Sequence, residues 1–347
     1  MGDFISDSLL FSICIVIAIF GSGVTTVLLA KPIIRRMKER GIVGIDWNKR
    51  DRPEIAELGG FSLLFGFPIG IAIATGILKL FSVFVATTII ATIGVMFIAG
   101  IIGILDDISN IPQRVKAIVV AFAALPLIIA GTAELTIPFP FGFELDFSGS
   151  EALKLIFWLI VVPIGITGAA NAINMSAGYN GLETGQVAII SVSLMIAAIL
   201  TQRNADCILI FAALAGAAIG LNYYNGYPAL TFVGDVGTLS MGAAIGAGVI
   251  IGGMELAGVI AVLPAFYEAF ATFYYSLVKK VDRKEACARP VIDEDNRLHP
   301  PAGAERYTLA YLILHKRAMT ERGLVRTILS LYVACGIIAV IVQILSS

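Results

Sequence analysis

Leu9-Leu-Phe-Ser-Ile-Cys-Ile-Val-Ile-Ala-Ile-Phe-Gly-Ser-Gly-Val-Thr-Thr-Val-Leu-Leu-Ala30 is an unbroken stretch without a charged residue. A stretch of about 20 such residues, wound as a helix, crosses the hydrocarbon core of a bilayer. It must be a helix because no water is present there to satisfy the backbone groups. The stretch is long for the core of a signal peptide, and residues 1–7 before it are acidic rather than basic. We therefore expect a retained membrane span rather than a cleaved signal.

The composition of the whole chain agrees with this interpretation. Of the 347 residues, 58% are hydrophobic and only 14% are charged, whereas soluble domains carry about 25% charged residues. So few charges predict an all-α membrane protein, which we treat as a single domain over residues 1–347. A net charge of −1 provides no basic field for nucleic acid, so no nucleic-acid partner is expected. Ten apolar stretches are candidate spans: 8–30, 59–78, 82–104, 115–131, 153–169, 186–201, 207–221, 237–253, 256–278 and 324–345.

The basic residues are confined to alternate loops. The segments 31–58, 105–116 and 279–326 carry eight, two and eleven of the 24 lysines and arginines. With ten spans, these three segments fall on one side of the membrane, which the positive-inside rule makes cytoplasmic. We therefore expect both termini outside and the long polar loops, with any active site that they form, in the cytoplasm.

The adjacent acids Asp106 and Asp107 follow an apolar helix directly, where the helix dipole disfavours carboxylates. A solvated loop would explain them. Two carboxylates with Lys116 shortly after are also typical of a site for phosphate and magnesium, because Mg²⁺ prefers oxygen ligands. The residues favour this second interpretation.

Further polar residues lie in the segments 171–185 and 222–235. Asn171 and Asn174 are spaced to share one helical face, and Asn180-Gly181 indicates a tight turn. These amides suit either a turn between two spans or the recognition of a diphosphate, a sugar or a metal. Asp235 is equally compatible with a helix cap.

Glu268 is the acid that lies well inside an apolar run, and a charge there is a functional hypothesis by default, although it could also pair with a neighbouring span. The two histidines, His299 and His315, have no metal-ligand companions in the sequence, so zinc chemistry is not supported. The chain has no G-x-x-x-x-G-K-[ST] motif, which argues against an ATPase.

These motifs together resemble the polyprenyl-phosphate N-acetylhexosamine-1-phosphate transferases. The likeness is greatest for the UDP-N-acetylglucosamine–dolichyl-phosphate N-acetylglucosamine-phosphotransferase branch of eukaryotes and archaea. It covers most of the chain and rests on residues 171–183, on Asp106-Asp107, on Phe232-Val-Gly-Asp235 and on the ten spans. It implies transfer of N-acetylglucosamine 1-phosphate, or a related N-acetylhexosamine phosphate, from a UDP-amino sugar to a polyprenyl or dolichyl phosphate, releasing UMP. Such a reaction begins lipid-linked oligosaccharide synthesis for N-glycosylation or a cell-surface glycan.

The resemblance also implies roles at the matching positions. Asn174 and Asp235 would ligate Mg²⁺, with Mn²⁺ as the alternative ion, and Lys116 would contact phosphate. Asp106 and Asp107 would deprotonate the lipid phosphate or shape the site. The implied substrate-binding residues are Trp47, Glu57, Asn171, Asn180, Glu183, Phe232, which would stack on uracil, and Arg289, which would grip the pyrophosphate. Family members often carry histidines in the last cytoplasmic loop, whereas residues 287–297 contain none.

Two alternatives stay open at this stage. A polytopic transporter or lipid flippase would place its ionisable groups near the midplane, whereas here the polar clusters crowd one face. The related muramoyl-pentapeptide enzymes commonly have Asp where this chain has Ala177. A prokaryotic, archaeal cell membrane is favoured over the endoplasmic reticulum. Surrounding membrane lipid is an expected partner, and a homodimer is left open, as are the identity of the sugar and the length of the lipid.

Overall fold

The computed structural model describes residues 8–81, 87–109, 113–279, 289–301 and 308–347. Within these residues, eight helices are long and apolar enough to span a membrane. Seven of them are α1 (Ser8–Glu39), α2 (Gly60–Phe81), α3 (Thr87–Ser109), α8 (Leu182–Leu200), α9 (Ala205–Asn225), α10 (Gly234–Ile251) and α14 (Glu321–Leu345). The eighth consists of α6 (Glu151–Ile156) and α7 (Val162–Met175), which are continuous through a π-helical turn at Phe157–Val161.

Two of the ten predicted spans differ from a single straight helix. The predicted span 256–278 is a pair of helices, α11 (Glu255–Ala261) and α12 (Leu263–Phe273), which meet at an angle of 72°. The predicted span 115–131 contains a shorter apolar segment, Val120–Ala130. It is built from α4 (Gln113–Val119), a 3-10 turn and α5 (Leu125–Ala130). The all-α polytopic membrane fold is confirmed. The part of the chain that the structure describes holds eight clear spans, or nine if the bent pair counts as one, against the ten predicted.

Helices α9 and α10 form the centre of the bundle. In the apolar window of α10, 89% of the residues are buried, against 28% for α1 and α14. Both central helices are rich in glycine and alanine, which let helix backbones approach closely where no hydrophobic effect drives packing in lipid. A Cβ at Gly103 of α3 would lie 2.5 Å from the carbonyl carbon of Asp235 in α10. The glycine therefore sets the distance between these two helices.

Short antiparallel strands connect several helices. Strands β1 (Val43–Ile45) and β2 (Glu54–Ala56) form a hairpin between α1 and α2. A second hairpin, β3 (Thr136–Pro138) and β4 (Glu144–Asp146), precedes α6. Near the end of the chain, β5 (Val291–Ile292), β6 (Arg297–His299) and β7 (Met319–Thr320) form a three-stranded sheet beside the short helix α13 (Leu309–Leu314). The spans were predicted from their apolar runs, whereas these strands were not predicted.

Candidate active site

The N-terminus of α10 is held against the C-terminus of α3. Gly234, the first residue of α10, has φ +70°, a conformation that favours glycine. The Asp107 carboxylate, at the end of α3, accepts hydrogen bonds from the backbone N–H groups of Asp235 at 3.1 and 3.2 Å and of Val236 at 3.4 Å. Asp107 therefore satisfies backbone donors that the first turn of a helix leaves free. In this position its charge is favoured by the α10 dipole.

Lys116 is the centre of a buried polar cluster. Its Nζ donates to Asp106 Oδ2 at 2.6 Å, to Asn174 Oδ1 at 3.1 Å and to Asp235 Oδ2. The side chain is only 2% exposed, so the ammonium depends on these partners for the solvation that it has lost. Four segments that are far apart in the chain, α3, α4, α7 and α10, therefore meet at one cation.

Asn174 is fixed on both sides of its carboxamide. Its Nδ2 donates to Asp235 Oδ1 at 2.6 Å and to Thr238 Oγ1 at 2.8 Å, which leaves Oδ1 directed at Lys116. The predicted pair Asn174 and Asp235 therefore lies together, as two metal ligands would require. Their role as ligands remains a prediction.

The oxygen atoms in this cluster fit a hard divalent cation. Asp106, Asn174 and Asp235 direct one oxygen each at the Lys116 ammonium, and such oxygens are the ligands that Mg²⁺ prefers. Among the described residues, no group of three or more histidine, cysteine, aspartate or glutamate side chains forms a metal cage by itself. In proteins, substrate phosphates and water commonly complete a Mg²⁺ shell that one or two carboxylates begin.

A cavity of about 530 Å³ opens beside this cluster. Its lining includes Asp107, Asp235, Thr238, Phe232 and Glu57. Most of the predicted site residues border it: Trp47, Glu57, Asp107, Asn180, Glu183, Phe232, Asp235 and Arg289. Asp106, Lys116 and Asn174 do not line the cavity. Lys116 and Asn174 contact Asp235, which does line it, and Asp106 contacts Lys116.

The β1–β2 hairpin forms one wall of the cavity. Phe232 is tied to it because its N–H donates to the carbonyl of Ala56 at 2.8 Å. A Cβ at Gly44 in β1 would lie 3.2 Å from Phe232 Cδ2 and would collide with the Glu57 carboxylate. Burial, and then the charges of Asp107 and Asp235, raise the pKa of Glu57 to about 7. The missing side chain at Gly44 therefore leaves room for the Phe232 ring and the Glu57 carboxylate.

A second polar cluster surrounds the turn between α7 and α8. Asp46 Oδ2 accepts from Asn180 Nδ2 and from Lys49 Nζ, both at 2.8 Å. Lys49 also donates to Glu321 Oε2 at 2.7 Å, and Glu321 Oε1 accepts the Asn180 N–H at 2.8 Å. Burial opposes the charge of Lys49, but the hydrogen bonds that it donates to Asp46 and Glu321 outweigh this effect and raise its pKa.

Sequence reasoning missed Asp46, Lys49 and Glu321. Lys49 and Glu321 are 272 positions apart, so no local spacing connects them. The signal that was available is the presence of acids in loops that the positive-inside rule brings to the same face. Their burial, 3% exposed for both Asp46 and Glu321, is visible only in the structure.

The predicted arginine, Arg289, lies against the predicted tryptophan. The Arg289 guanidinium carbon is 3.3 Å from the centroid of the Trp47 ring, and that of Arg52 is 5.1 Å away. Trp47 and Arg289 line both the main cavity and a neighbouring one of about 430 Å³, which Lys49, Arg50 and Arg52 also border. Arg289 therefore supplies a cationic group to the main cavity, and the neighbouring cavity is bordered by three more basic residues.

Three other residues singled out in the sequence have structural partners. Asn171 donates to the carbonyl of Thr167 at 2.9 Å within its own helix, and it is not among the residues that line the cavity. Glu183 accepts the Gly178 N–H at 3.1 Å and so holds the α7–α8 turn. Glu268 borders the cavity and accepts the Leu309 N–H at 2.6 Å, which ties α12 to α13.

Comparison with known proteins identifies similar chains. A family model described as glycosyl transferase family 4 matches residues 87–253. A protein of Saccharolobus solfataricus, provisionally named a UDP-N-acetylglucosamine–dolichyl-phosphate N-acetylglucosaminephosphotransferase, is 31% identical over 95% of both chains. A protein of the same provisional name from Sulfolobus acidocaldarius is 28% identical over 95% of this chain and 96% of its own. A phospho-N-acetylmuramoyl-pentapeptide-transferase of Desulforamulus reducens is 29% identical over 55% of this chain and 59% of its own.

Proposed function

The chain belongs to glycosyl transferase family 4, and from this membership we propose that it transfers N-acetylglucosamine 1-phosphate from a UDP-sugar to a polyprenyl or dolichyl phosphate. It is an integral membrane enzyme of sugar 1-phosphate transfer. Two relatives matched over 95% of this chain carry the dolichyl-phosphate name, whereas the relative named for muramoyl-pentapeptide transfer matches 55% of this chain. These names favour N-acetylglucosamine and a dolichyl or polyprenyl acceptor.

The reaction exchanges one P–O bond for another. An oxygen of the lipid phosphate attacks the β-phosphorus of the UDP-sugar, and the bond from that phosphorus to the bridging oxygen breaks. The bridging oxygen leaves with UMP, and the product is a lipid diphosphate sugar. Because a phosphate monoester has already lost most of its protons at neutral pH, the attacking oxygen requires no strong base.

The single observation that carries this proposal is the convergence of Asp106, Asn174 and Asp235 on Lys116 beside the cavity. Phosphoryl transfer depends mainly on positioning and on neutralising charge. Lys116 offers a cation that is already desolvated and fixed by three oxygens. We assign Lys116 to contact a phosphate, and Asp106 to hold that lysine in place.

The same cluster supports a divalent cation, for which we propose Mg²⁺ with Asn174 and Asp235 as ligands. Asp106 and Asp235 share one ammonium group, and a diphosphate would add further negative charge. A bound divalent cation supplies the missing positive charge and polarises the phosphate oxygens. Asp107 is occupied by the backbone of α10, so we assign it to shaping the site rather than to proton transfer.

We propose a prokaryotic, archaeal membrane and a cytoplasmic site, and the distribution of charge supports the second of these. Arg289 borders both cavities, and Lys49, Arg50 and Arg52 border the neighbouring one. All four belong to the basic segments that the positive-inside rule assigns to the cytoplasm. A soluble UDP-sugar would enter from that side. The acceptor phosphate would arrive from the membrane, where its lipid chain stays.

The test is an assay of the purified protein in lipid nanodiscs with UDP-N-acetylglucosamine, polyprenyl or dolichyl phosphate and Mg²⁺. We expect release of UMP together with a lipid product whose mass is increased by one N-acetylhexosamine phosphate. UDP-N-acetylgalactosamine and UDP-glucose serve as comparison donors. No UMP release from folded protein with any of these donors and either lipid would overturn the proposal.

A further inference from the structure

The orientation of the Asn180 carboxamide is fixed by its partner. Asn180 Nδ2 donates to Asp46 Oδ2 at 2.8 Å. An ionised carboxylate can accept hydrogen bonds but cannot donate them, so only the amide nitrogen can face Asp46. The Asn180 oxygen, Oδ1, must therefore be directed away, and no residue in the described part of the chain donates to it.

Lys49 keeps this arrangement in place. Its ammonium bridges Asp46 and Glu321 at 2.8 and 2.7 Å, and so pairs two carboxylates that are almost fully buried. Glu321 in turn holds the Asn180 backbone N–H at 2.8 Å. Asp46 thus orients the side chain of Asn180, while Glu321 fixes its main chain.

The free acceptor belongs to a residue that lines the proposed substrate cavity. Asn180 and Asp46 line the same cavity as Phe232, whose ring offers an aromatic face. Uracil and cytosine differ at N3, which carries a hydrogen in uracil and is a bare acceptor in cytosine. An acceptor fixed by a carboxylate can pair with the first and not with the second.

From this geometry we infer that Asp46 is a positioning residue that makes the enzyme select uridine over cytidine nucleotides, because it holds Asn180 Oδ1 toward the N3–H of the base. The inference rests on the proposed function, since it assumes that the UDP-sugar occupies this cavity. Asp46 acts through Asn180 and does not itself contact the base.

The unmodified protein provides the first test. Binding of UMP, CMP and 3-methyluridine 5′-monophosphate would be measured by calorimetry on the protein in nanodiscs with Mg²⁺. Leaving a buried hydrogen-bonding group unpaired costs enough to weaken binding by ~10-fold or more. We expect CMP and the N3-methylated nucleotide to bind at least that much more weakly than UMP. Equal binding of UMP and CMP would overturn the inference without any variant.

The second test is Asp46→Asn, in which residue 46 can donate as well as accept, so the Asn180 carboxamide is free to turn over. We expect the preference for UMP over CMP to fall to within ~3-fold. Asp51→Asn is the matched control, because Asp51 is exposed in the same hairpin and should keep the full preference. If Asp46→Asn does not fold, Asp46→Ser replaces it, since its hydroxyl also donates or accepts. A folded variant at position 46 with the wild-type preference would contradict the inference.

Glu321→Gln separates orientation from general loosening of the site. It weakens the link to Lys49 but leaves Asp46 beside Asn180, so UMP and CMP should both bind more weakly with an unchanged ratio. Loss of the UMP/CMP binding ratio in this variant as well would mean that base selection follows rigidity alone.

Failure of the inference about Asp46 is distinguishable from failure of the proposed function. A protein that releases UMP but does not discriminate between the bases refutes only the role of Asp46, whereas a protein without UMP binding or turnover refutes the transferase.

Discussion

The Asp107 carboxylate accepts the backbone N–H of Asp235 with both oxygens, at 3.1 and 3.2 Å. The two acids are thus joined by main-chain hydrogen bonds although their charges repel. The consequence is that α10 begins at a fixed position relative to the end of α3, and the Asp235 side chain is turned toward Lys116. One acid of the adjacent pair supports the helix that carries the proposed metal ligand, and the other binds the lysine.

This arrangement predicts different effects for two substitutions of Asp107. Asp107→Asn keeps an acceptor for the Asp235 N–H and should retain measurable turnover. Asp107→Ala loses the cap, which should cost about 1 kcal/mol of stability and most of the activity. UMP release and thermal unfolding in nanodiscs would measure both effects. If Asp107 were instead the base that deprotonates the lipid phosphate, both variants would be equally inactive.

Lys116 should be indispensable for turnover. Lys116→Met removes the cation from three oxygens, and we expect the rate to fall by about 10²- to 10³-fold, as when a fixed donor to a transition state is lost. Lys154→Met is the matched control, because Lys154 pairs only with the exposed Glu151 among the described residues. UMP release would be followed at saturating substrate, with the unfolding temperature recorded in parallel. Turnover of a folded Lys116→Met protein close to the wild-type rate would exclude the assigned phosphate contact.

Removal of divalent cations should abolish activity reversibly. We expect chelation by EDTA to stop UMP release and Mg²⁺ to restore it, with Mn²⁺ tested as the alternative ion. Asp235→Ala should abolish turnover and weaken Mg²⁺ binding, because it removes an oxygen that Asn174 and Lys116 orient. Asp146→Ala, in an exposed strand, serves as control. Unchanged activity in Asp235→Ala would remove this residue from the site.

The spans and the inner cluster were predictable from sequence for a physical reason. A membrane helix must be apolar over about 20 residues, so the spans stand out in the sequence, and so do polar residues such as Asp106 or Asp235 near their ends. The bend between Ala261 and Leu263 was not predicted, since the apolar pattern continues through it. The bridge from Lys49 to Glu321 depends on how the first loop meets the last helix, which no local pattern contains.

The approach of α3 to α10 gives a prediction that depends on a single methyl group. A Cβ at Gly103 would lie 2.5 Å from the carbonyl carbon and oxygen of Asp235, so Gly103→Ala must push the two helices apart. Because a displacement of about 1 Å can cost a catalytic site ~10²-fold in rate, we expect a large loss of turnover with little loss of helicity. Gly76→Ala in α2 is the matched control, since a Cβ there meets no atom within 4 Å among the described residues. UMP release and circular dichroism of both variants would decide the matter. Equal activity of the two alanine variants would mean that the spacing between α3 and α10 does not set the position of Asp235.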